Sequence, residues 1–368
     1  MIMKLLNNFS DLLYFDKKLE SKKLELYLEI CNKTKLLNKK HFNKVKNPKI
    51  SIISPTYNRE KYLLRFLRSI QNQYFDDIEI IFVDDFSKDN SVKLIQKFQK
   101  EDERIILIKH NKNKGTLISR NDGVIKAKGE YIMLPDPDDI LSENILKICY
   151  NLANEYKIEM IRYNVYIGNN TLLFENIVSQ LKSIPIFQPE LSTYLFYAKG
   201  TLQQIDFNVA NKFIKREAFI RTIQKLNTFY YNQYMIDQED GLINYLLYRT
   251  ANSFIFLKKI GYYYLPNDQS ITKVYYKNYE EILRNIFLLL RLVFENTKSN
   301  KYEKDMMNSL FGRLYQGVLG KCLHLITKDF SFYIEILNMY LKCKFITKKN
   351  IGGLKKLKKI IIKKLANQ

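Results

Sequence analysis

The 368-residue chain has no tryptophan, only three histidines and only four cysteines. Cys31, Cys149, Cys322 and Cys343 form no C-x-x-C pair, and His41, His110 and His324 do not cluster with them. A zinc knuckle and a disulfide framework are therefore not indicated, and a reducing, cytoplasmic setting fits. Glycine is sparse at 12 residues: no G-x-G-x-x-G follows the first candidate strand, and no G-x-x-x-x-G-K-[ST] cradle is present. Neither a dinucleotide fingerprint nor an ATP or GTP phosphate loop is indicated. Long apolar runs are also missing. The longest, Ile286–Phe294, is interrupted by Arg291 and falls well short of the roughly 20 residues a bilayer span needs. Met1–Phe15 is broken by Asn7, Asn8, Ser10 and Asp11, a poor signal peptide. The expectation is a soluble or peripheral protein. Finally, acid is missing from the end of the chain: Met339–Gln368 holds ten lysines and no carboxylate. Met1–Lys49 adds twelve lysines against five acids, so of the net +22 only +5 belongs to the middle. A nucleic-acid groove through the middle would need its positive charge there, so no nucleic-acid partner is expected.

What the middle does contain is four short apolar runs rich in Ile and Val: Ile50–Ser54, Ile78–Val83, Arg104–Lys109 and Glu130–Leu134. Nearly unbroken apolar character is how a strand reads when helices cover both its faces. Between the runs lie residues at helical spacing, first Leu63, Leu67 and Ile70, then Val92, Ile95 and Phe98. The alternation predicts a doubly wound, mostly parallel α/β sheet with flanking helices. Its strands end in Pro55-Thr56-Tyr57-Asn58, Asp84-Asp85-Phe86-Ser87, Asn113-Lys114-Gly115 and Asp136-Pro137-Asp138-Asp139. Ligands of open α/β sheets bind outside the carboxyl ends of the strands, so these four loops define the expected crevice.

Each loop also has a local reading. Asn58 can cap the following helix, or the Pro55–Asn58 segment can lend backbone and an aromatic ring to a base or ribose. Asp84 and Asp85 can form a solvated turn, with Asp89 or Ser91 capping the next helix, or accept from a ribose or base. Asp138 or Asp139 can complement the dipole of a helix expected at Ser142–Leu152. Alternatively, carboxylates crowded within four residues repel one another unless a cation sits among them. Such oxygen donors suit Mg²⁺ or Mn²⁺, with phosphate oxygens and water completing the shell. Pro137 stiffens the turn and helps Asp136 and Asp138 face one way. Downstream, Asp237-Gln238-Glu239-Asp240 reads as an acidic loop capping a helix over Leu242–Arg249, or as a source of a base.

The stretches SIISPTYNREKYLLRFLRSIQNQ (from Ser51), IEIIFVDDFSKDNS (from Ile78) and NKGTLISRNDGVIKAKGEYIMLPDPDDIL (from Asn113) together resemble a family 2 glycosyltransferase of the GT-A fold. The order and spacing of all four loops carry the likeness, which covers about residues 48 to 275. It implies that Pro55, Thr56, Tyr57, Asn58, Asp84 and Asp85 line a nucleotide, with Arg120 close by. It implies that Asp136-Pro137-Asp138 is a D-x-D motif binding Mn²⁺ or Mg²⁺ on the diphosphate of a sugar nucleotide. Asn208–Phe219 is similar to the segment ahead of the acceptor site, and Ile236–Leu247 to the one carrying the catalytic base. The resemblance selects Asp240 as that base, with Glu239 as an acceptor contact and Asp237 as the alternative. Ile260–Thr272 is similar to a closing element near the phosphates.

The expected organisation is a helical extension over 1–47, a GT-A domain over 48–275 with nucleotide-binding (48–141) and acceptor (142–275) halves, and a helical region over 276–368. In the extension Leu24, Leu26, Tyr27 and Ile30 mark an amphipathic face. In the tail Leu354, Leu357, Ile361 and Leu365 fall on one helix face and lysines largely elsewhere, either a solvated end or a helix for an anionic membrane surface. The functional expectation is a metal-dependent, inverting transfer of sugar, with UDP-sugar as donor and a glycan, lipid or protein hydroxyl as acceptor. Two competing readings are a sugar-nucleotide nucleotidyltransferase and a non-catalytic module tethered to membranes. The first requires a Gly- and Arg-containing loop where this chain has Ser54–Arg59. The second has no need of a base beside Asp85 and Asp138.

Overall fold

The computed structural model describes residues 42–167, 208–226, 233–235, 238–265 and 267, the strand backbones at 171–173 and 186–187, and helical residues 24, 25, 28, 29, 31, 285, 286, 288, 289, 291–293 and 295. The chain divides into two compact units. The first holds Met1–Ser192, Asn208–Ile236 and Leu246–Asp268; the second holds Thr193–Phe207, Asp237–Tyr245 and Gln269–Gln368. The basic tail lies outside the described residues. Among the described residues no helix is long and apolar enough to cross a membrane.

In the first unit the alternation read from the sequence is present: β1 (Ile50–Thr56), α1 (Glu60–Gln71), β2 (Ile78–Asp84), α2 (Ser91–Gln99), β3 (Ile105–Lys109), α3 (Thr116–Lys126) and β4 (Tyr131–Met133). There follow β5 (Ile140–Leu141), α4 (Ile145–Tyr156), β6 (Met160–Ile167), β7 (Thr171–Leu173), β8 (Ile186–Phe187), β9 (Lys212–Lys215), α5 (Arg216–Lys225), α6 (Glu239–Thr250) and β10 (Ser253–Tyr264). Strand order is β3-β2-β1-β4-β9-β6-β10-β5, with β7 pairing β6 and β8 pairing β10. The first four strands are parallel, in register from Ile50↔Ile78 to Thr56↔Asp84 between β1 and β2. Beyond β4 the sheet is mixed, because β9 runs antiparallel to both β4 and β6. The boundary between the units falls within α6, between Tyr245 and Leu246.

Burial explains why the central strands read so clearly. Every residue of β2 is buried, as is every residue of β1 but Pro55. Pro55 is tolerated because β1 pairs with β4 only through Ile50–Ile52, so no ladder bond is lost at its missing N–H. Helix α1 buries Leu63, Phe66, Leu67 and Ile70, one stripe at helical spacing, into a core shared with Phe82, Ile95 and Phe98. Leu24 of the N-terminal extension is buried against Ile140, Tyr166 and Tyr263, so that part of the extension does pack on the sheet.

A buried polar knot fixes where β4 enters. Ser51 Oγ donates to Glu79 Oε1 at 2.6 Å, and the backbone N–H of Lys128 donates to the same oxygen at 2.5 Å. The N–H of Gly129 donates to Ser51 Oγ at 2.8 Å. A Cβ on Gly129 would lie 2.5 Å from Ser51 N and 2.8 Å from Ile50 C, both backbone atoms that cannot swing aside. Gly129→Ala should therefore destabilise the fold by about 2–4 kcal/mol, from overpacking plus displaced buried hydrogen bonds. Urea denaturation measures this, and a loss below about 0.5 kcal/mol would show that the turn yields without consequence.

Candidate active site

The crevice begins where β1 and β2 end side by side. The N–H of Asp85 donates to Thr56 O at 2.8 Å, and that of His110 to Asp84 O at 2.9 Å, which carries the parallel ladder into the loops. Asn58 takes a left-handed backbone and does not cap α1. Its Oδ1 accepts from Lys88 N at 2.8 Å, while its own N–H donates to Ser87 Oγ at 3.0 Å. The first N–H groups of α1 are satisfied from the neighbouring loop: Arg59 N donates to Ser91 Oγ and Glu60 N to Asp89 Oδ2. Asp89 also accepts from Ser91 N at 2.9 Å, so one carboxylate serves two helix starts. Burial raises its pKa, but these hydrogen bonds outweigh burial and hold it below the usual carboxylate value.

Asp84 and Asp85 divide in role. Asp85 accepts from Lys114 N and Gly115 N, each at 2.8 Å, and pairs with His110 Nδ1 at 2.7 Å. Gly115 has φ +88°, and a Cβ there would meet Met235 O at 2.7 Å, so only glycine closes this loop comfortably. Asp84 is buried with Oδ2 accepting from Ser87 N at 3.2 Å, while its Oδ1 has no hydrogen-bond partner among the described residues. His110 bridges to Asp122 through Nε2 at 3.1 Å, and Lys114 Nζ lies 3.4 Å from the same carboxylate. Neither His110 nor Asp122 stands out in the sequence, since each is one isolated residue.

The acidic turn is the second half of the site. Between β4 and β5 the chain passes β9, β6 and β10 in the sheet order, and Asp136–Asp139 lies on that crossing. Asp139 is buried and does not serve the dipole of α4, which starts only at Ile145. Its Oδ2 accepts from the Tyr262 hydroxyl at 2.7 Å and its Oδ1 from Leu265 N at 2.8 Å. The Tyr262 oxygen in turn accepts from Asp136 N at 3.1 Å. Full burial first, and then the charges of Asp138 and Asp136, push the Asp139 carboxyl well above the ordinary range. Ser142, expected to begin the next helix, donates instead to strand β10: N to Gly261 O at 3.0 Å and Oγ to Ile260 O at 2.7 Å.

The other two carboxylates of the turn are less enclosed. Asp136, with a side chain 37% exposed, accepts from Nη2 of the buried Arg120 at 2.9 Å. Asp138, 16% exposed, accepts through Oδ2 from Asn267 Nδ2 at 2.5 Å and lies 3.6 Å from Arg59 Nε. Its backbone oxygen accepts from Arg65. Tyr62 of α1 donates to Asn267 Oδ1 at 2.7 Å. The structure thus brings Arg120 to Asp136, and the 260–267 segment to the turn. Arg59, Tyr262 and Asn267 escaped the sequence reading as individual residues, although the last two lie in the segment flagged by resemblance, and Asp139 was read there only as an alternative to Asp138.

Asp240 stands with Glu239 in the first turn of α6, inside the helix rather than in a loop ahead of it. Carboxylates there complement the positive end of the helix. This part of α6 belongs to the second unit, and Asp237 lies outside the described residues. In the segment ahead of it, the buried Lys212 donates to Asn211 Oδ1 at 2.9 Å and to the Asn208 carbonyl, which ties β9 to its approach loop.

Residues 51–222 match the family model described as Glycosyl transferase family 2. Over 118 residues the chain is 39% identical to Glycosyltransferase GlyG of Streptococcus pneumoniae, covering 32% of this chain and 39% of that one. Over 109 residues it is 40% identical to the GalNAc(5)-diNAcBac-PP-undecaprenol beta-1,3-glucosyltransferase of Campylobacter jejuni, covering 29% of this chain and 35% of that one. The chain thus spans well under half the length of these two relatives. A crystal structure of S. aureus TarS 1–349 in complex with UDP-GlcNAc superposes with a TM-score of 0.56 at 20% identity, covering 74% of this chain and 76% of that chain. The complex with UDP gives 0.51 at 18% identity, covering 77% and 74%. At this identity the likeness establishes a shared fold, the GT-A α/β architecture.

The His110 cluster predicts a pH dependence. Hydrogen bonds to Asp122 and then to Asp85 raise the imidazole to about 9, against the effect of burial and Lys114. A raised pKa means that its stabilisation is fully present below the unfolded value of about 6.5 and is lost as pH rises through about 9. The stability advantage of wild type over His110→Gln, read from urea midpoints, should shrink between those limits. An advantage constant from pH 6 to 10 would remove the charged imidazole from the account.

Proposed function

We propose that this chain, whose residues 51–222 match the model of glycosyl transferase family 2, transfers a sugar with inversion from a UDP-sugar to an acceptor hydroxyl of a glycan, lipid or protein. The observation that carries the reading is the acidic turn between β4 and β5, tied to α3 by Arg120–Asp136 and to the joined Pro55–Asn58 and Asp84–Lys88 loops by Arg59–Asp138. The choice of UDP is supported by the TarS complexes with UDP-GlcNAc and UDP, which share the fold.

The turn also fits a divalent ion. Among the described residues no three His, Cys, Asp or Glu side chains converge into a cage. Asp138 is 16% exposed with its Oδ2 held by Asn267, and Asp136 is 37% exposed, so both carboxylates are open enough to share an ion with solvent and phosphate. A hard ion bound by one or two carboxylates, with the rest of its shell from phosphate and water, matches that donor set. Asp136 and Asp138 would hold Mg²⁺ or Mn²⁺, which would offset the charge developing on the departing diphosphate. Arg120 orients Asp136, and the Tyr262 hydroxyl fixes its backbone. Thr56, Tyr57, Asn58 and Asp84 face the nucleoside, and Asp85 holds the Lys114–Gly115 loop that closes that side. The acceptor oxygen attacks the anomeric carbon, the bond from that carbon to the diphosphate oxygen breaks with its electron pair, and the acceptor proton passes to Asp240. Loss of such a base typically costs about 10²–10⁴-fold in rate.

Two variants separate these roles. Asp138→Asn should weaken Mn²⁺-dependent UDP binding by at least about tenfold, as read by calorimetry. Asp240→Asn should bind UDP and metal as wild type does, while UDP release from UDP-sugar falls about 10²–10⁴-fold. Full turnover by Asp240→Asn places the base elsewhere, and undiminished UDP binding by Asp138→Asn in Mn²⁺ removes the ion from this turn.

A further inference from the structure

Both ring nitrogens of His110 meet carboxylates: Nδ1 lies 2.7 Å from Asp85 Oδ1 and Nε2 3.1 Å from Asp122 Oδ2. The ring is buried, as is the Asp85 side chain, whereas that of Asp122 keeps 28% of its surface exposed. An ionised carboxylate only accepts, and a neutral imidazole has one N–H and one bare nitrogen. A neutral ring would set a lone pair against one of the two oxygens. Only the imidazolium donates to both. Asp122 and then Asp85 favour that charge, while burial and Lys114, with Nζ 3.4 Å from Asp122, oppose it.

The two carboxylates belong to different elements. Asp85 follows β2 and draws in Lys114 N and Gly115 N, the entry to α3. Asp122 lies within α3, two residues beyond the Arg120 that reaches Asp136. His110 follows β3, and its own N–H donates to Asp84 O. One ring thus ties the ends of two strands to one helix. Met235 O rests on the same entry, accepting from Thr116 N at 2.9 Å.

We infer that His110 is a positioning residue whose imidazolium pins α3 to the ends of β2 and β3, so that the crevice binds its nucleotide most tightly with this ring charged. This rests on the reading of the crevice as a sugar-nucleotide site, and it requires no contact between His110 and the ligand. When the proton leaves, one carboxylate faces a lone pair. Asp122, the more exposed, is the one that water can take up, which loosens α3 on that side. A smaller share of molecules then holds Arg120 and the 114–116 entry in place, and apparent affinity falls with that share. Linkage is reciprocal: if the charged ring favours the nucleotide, the nucleotide raises the pKa of the ring.

The chain has three histidines, so isotope-labelled imidazole nitrogens give three sets of ring signals by NMR, and His41→Gln and His324→Gln identify the other two. The test follows the His110 ring through a pH titration in Mg²⁺, with and without saturating UDP. Both nitrogens should be protonated at neutral pH. The midpoint should rise by about one pH unit with UDP, which corresponds to about a tenfold preference of UDP for the charged ring. Asp122→Ala separates positioning from simple attraction, because it removes a negative charge and also the tie to α3. Its affinity for UDP by calorimetry, on protein shown by melting to be folded at the assay temperature, should fall about tenfold. Attraction alone would make Asp122→Ala bind the anionic ligand more tightly, and unchanged or tighter binding overturns the inference. So does a midpoint that UDP leaves in place, a result that stands even if Asp122→Ala does not fold. Failure of wild type to bind UDP at any pH would overturn the reading of the crevice, and this inference with it.

Discussion

A carboxyl group removed from water holds the acidic turn in place. Asp139 accepts from the Tyr262 hydroxyl and from Leu265 N, and the same hydroxyl accepts from Asp136 N. Burying a carboxyl is costly unless hydrogen bonds replace its water, and here both oxygens are engaged. Three carboxylates within four residues would otherwise drive the turn apart. Enclosing Asp139 takes one of them out of the crevice and raises its pKa, which lessens the like-charge repulsion facing Asp136 and Asp138. The clamp also brings Asn267 to Asp138 and, through Tyr62, links the turn to α1. Arg120, held in α3, sets the remaining carboxylate.

The loops at the ends of β1 and β2 follow the same logic with different atoms. Asp85 draws in the N–H groups of Lys114 and Gly115, Asp89 serves two helix starts, and Asn58 joins two loops. Charge-assisted hydrogen bonds to backbone N–H groups are short and directional, so loops of few residues become a fixed surface. Asp136 and Asp138 keep 37% and 16% of their side chains exposed beside these fixed groups. Positioned acids surround available ones, an arrangement suited to ligand binding.

The sequence made the parallel half legible because burial on both faces leaves an unbroken apolar run, as in Ile50–Ser54 and Ile78–Val83. The two-residue β5 was not legible, since it exists only through pairing with Tyr262 and Tyr263 far along the chain. The same pairing takes Ser142 away from the helix that local pattern assigns to it. Asn58 fits an N-cap by residue type, yet Ser91 and Asp89 satisfy the N–H groups from the neighbouring loop. Asp139 looked interchangeable with its neighbours because nothing local distinguishes a buried acid from exposed ones. Arg120 was legible only through the resemblance, and contact with Asp136 gives it a physical reason. Asp240 rests on resemblance still, joined now to its place in the first turn of α6.

On the proposed function, Asp136 and Asp138 would face a diphosphate and the two loops at the ends of β1 and β2 would face a nucleoside. The most direct measurement is UDP release from UDP-GlcNAc by the purified chain in Mn²⁺ without an acceptor, where water takes the place of the acceptor hydroxyl. The account predicts slow, protein-dependent release that stops on addition of EDTA and returns with excess Mn²⁺. Absence of release from any UDP-sugar, together with an unchanged melting temperature in the presence of UDP and Mn²⁺, would contradict it.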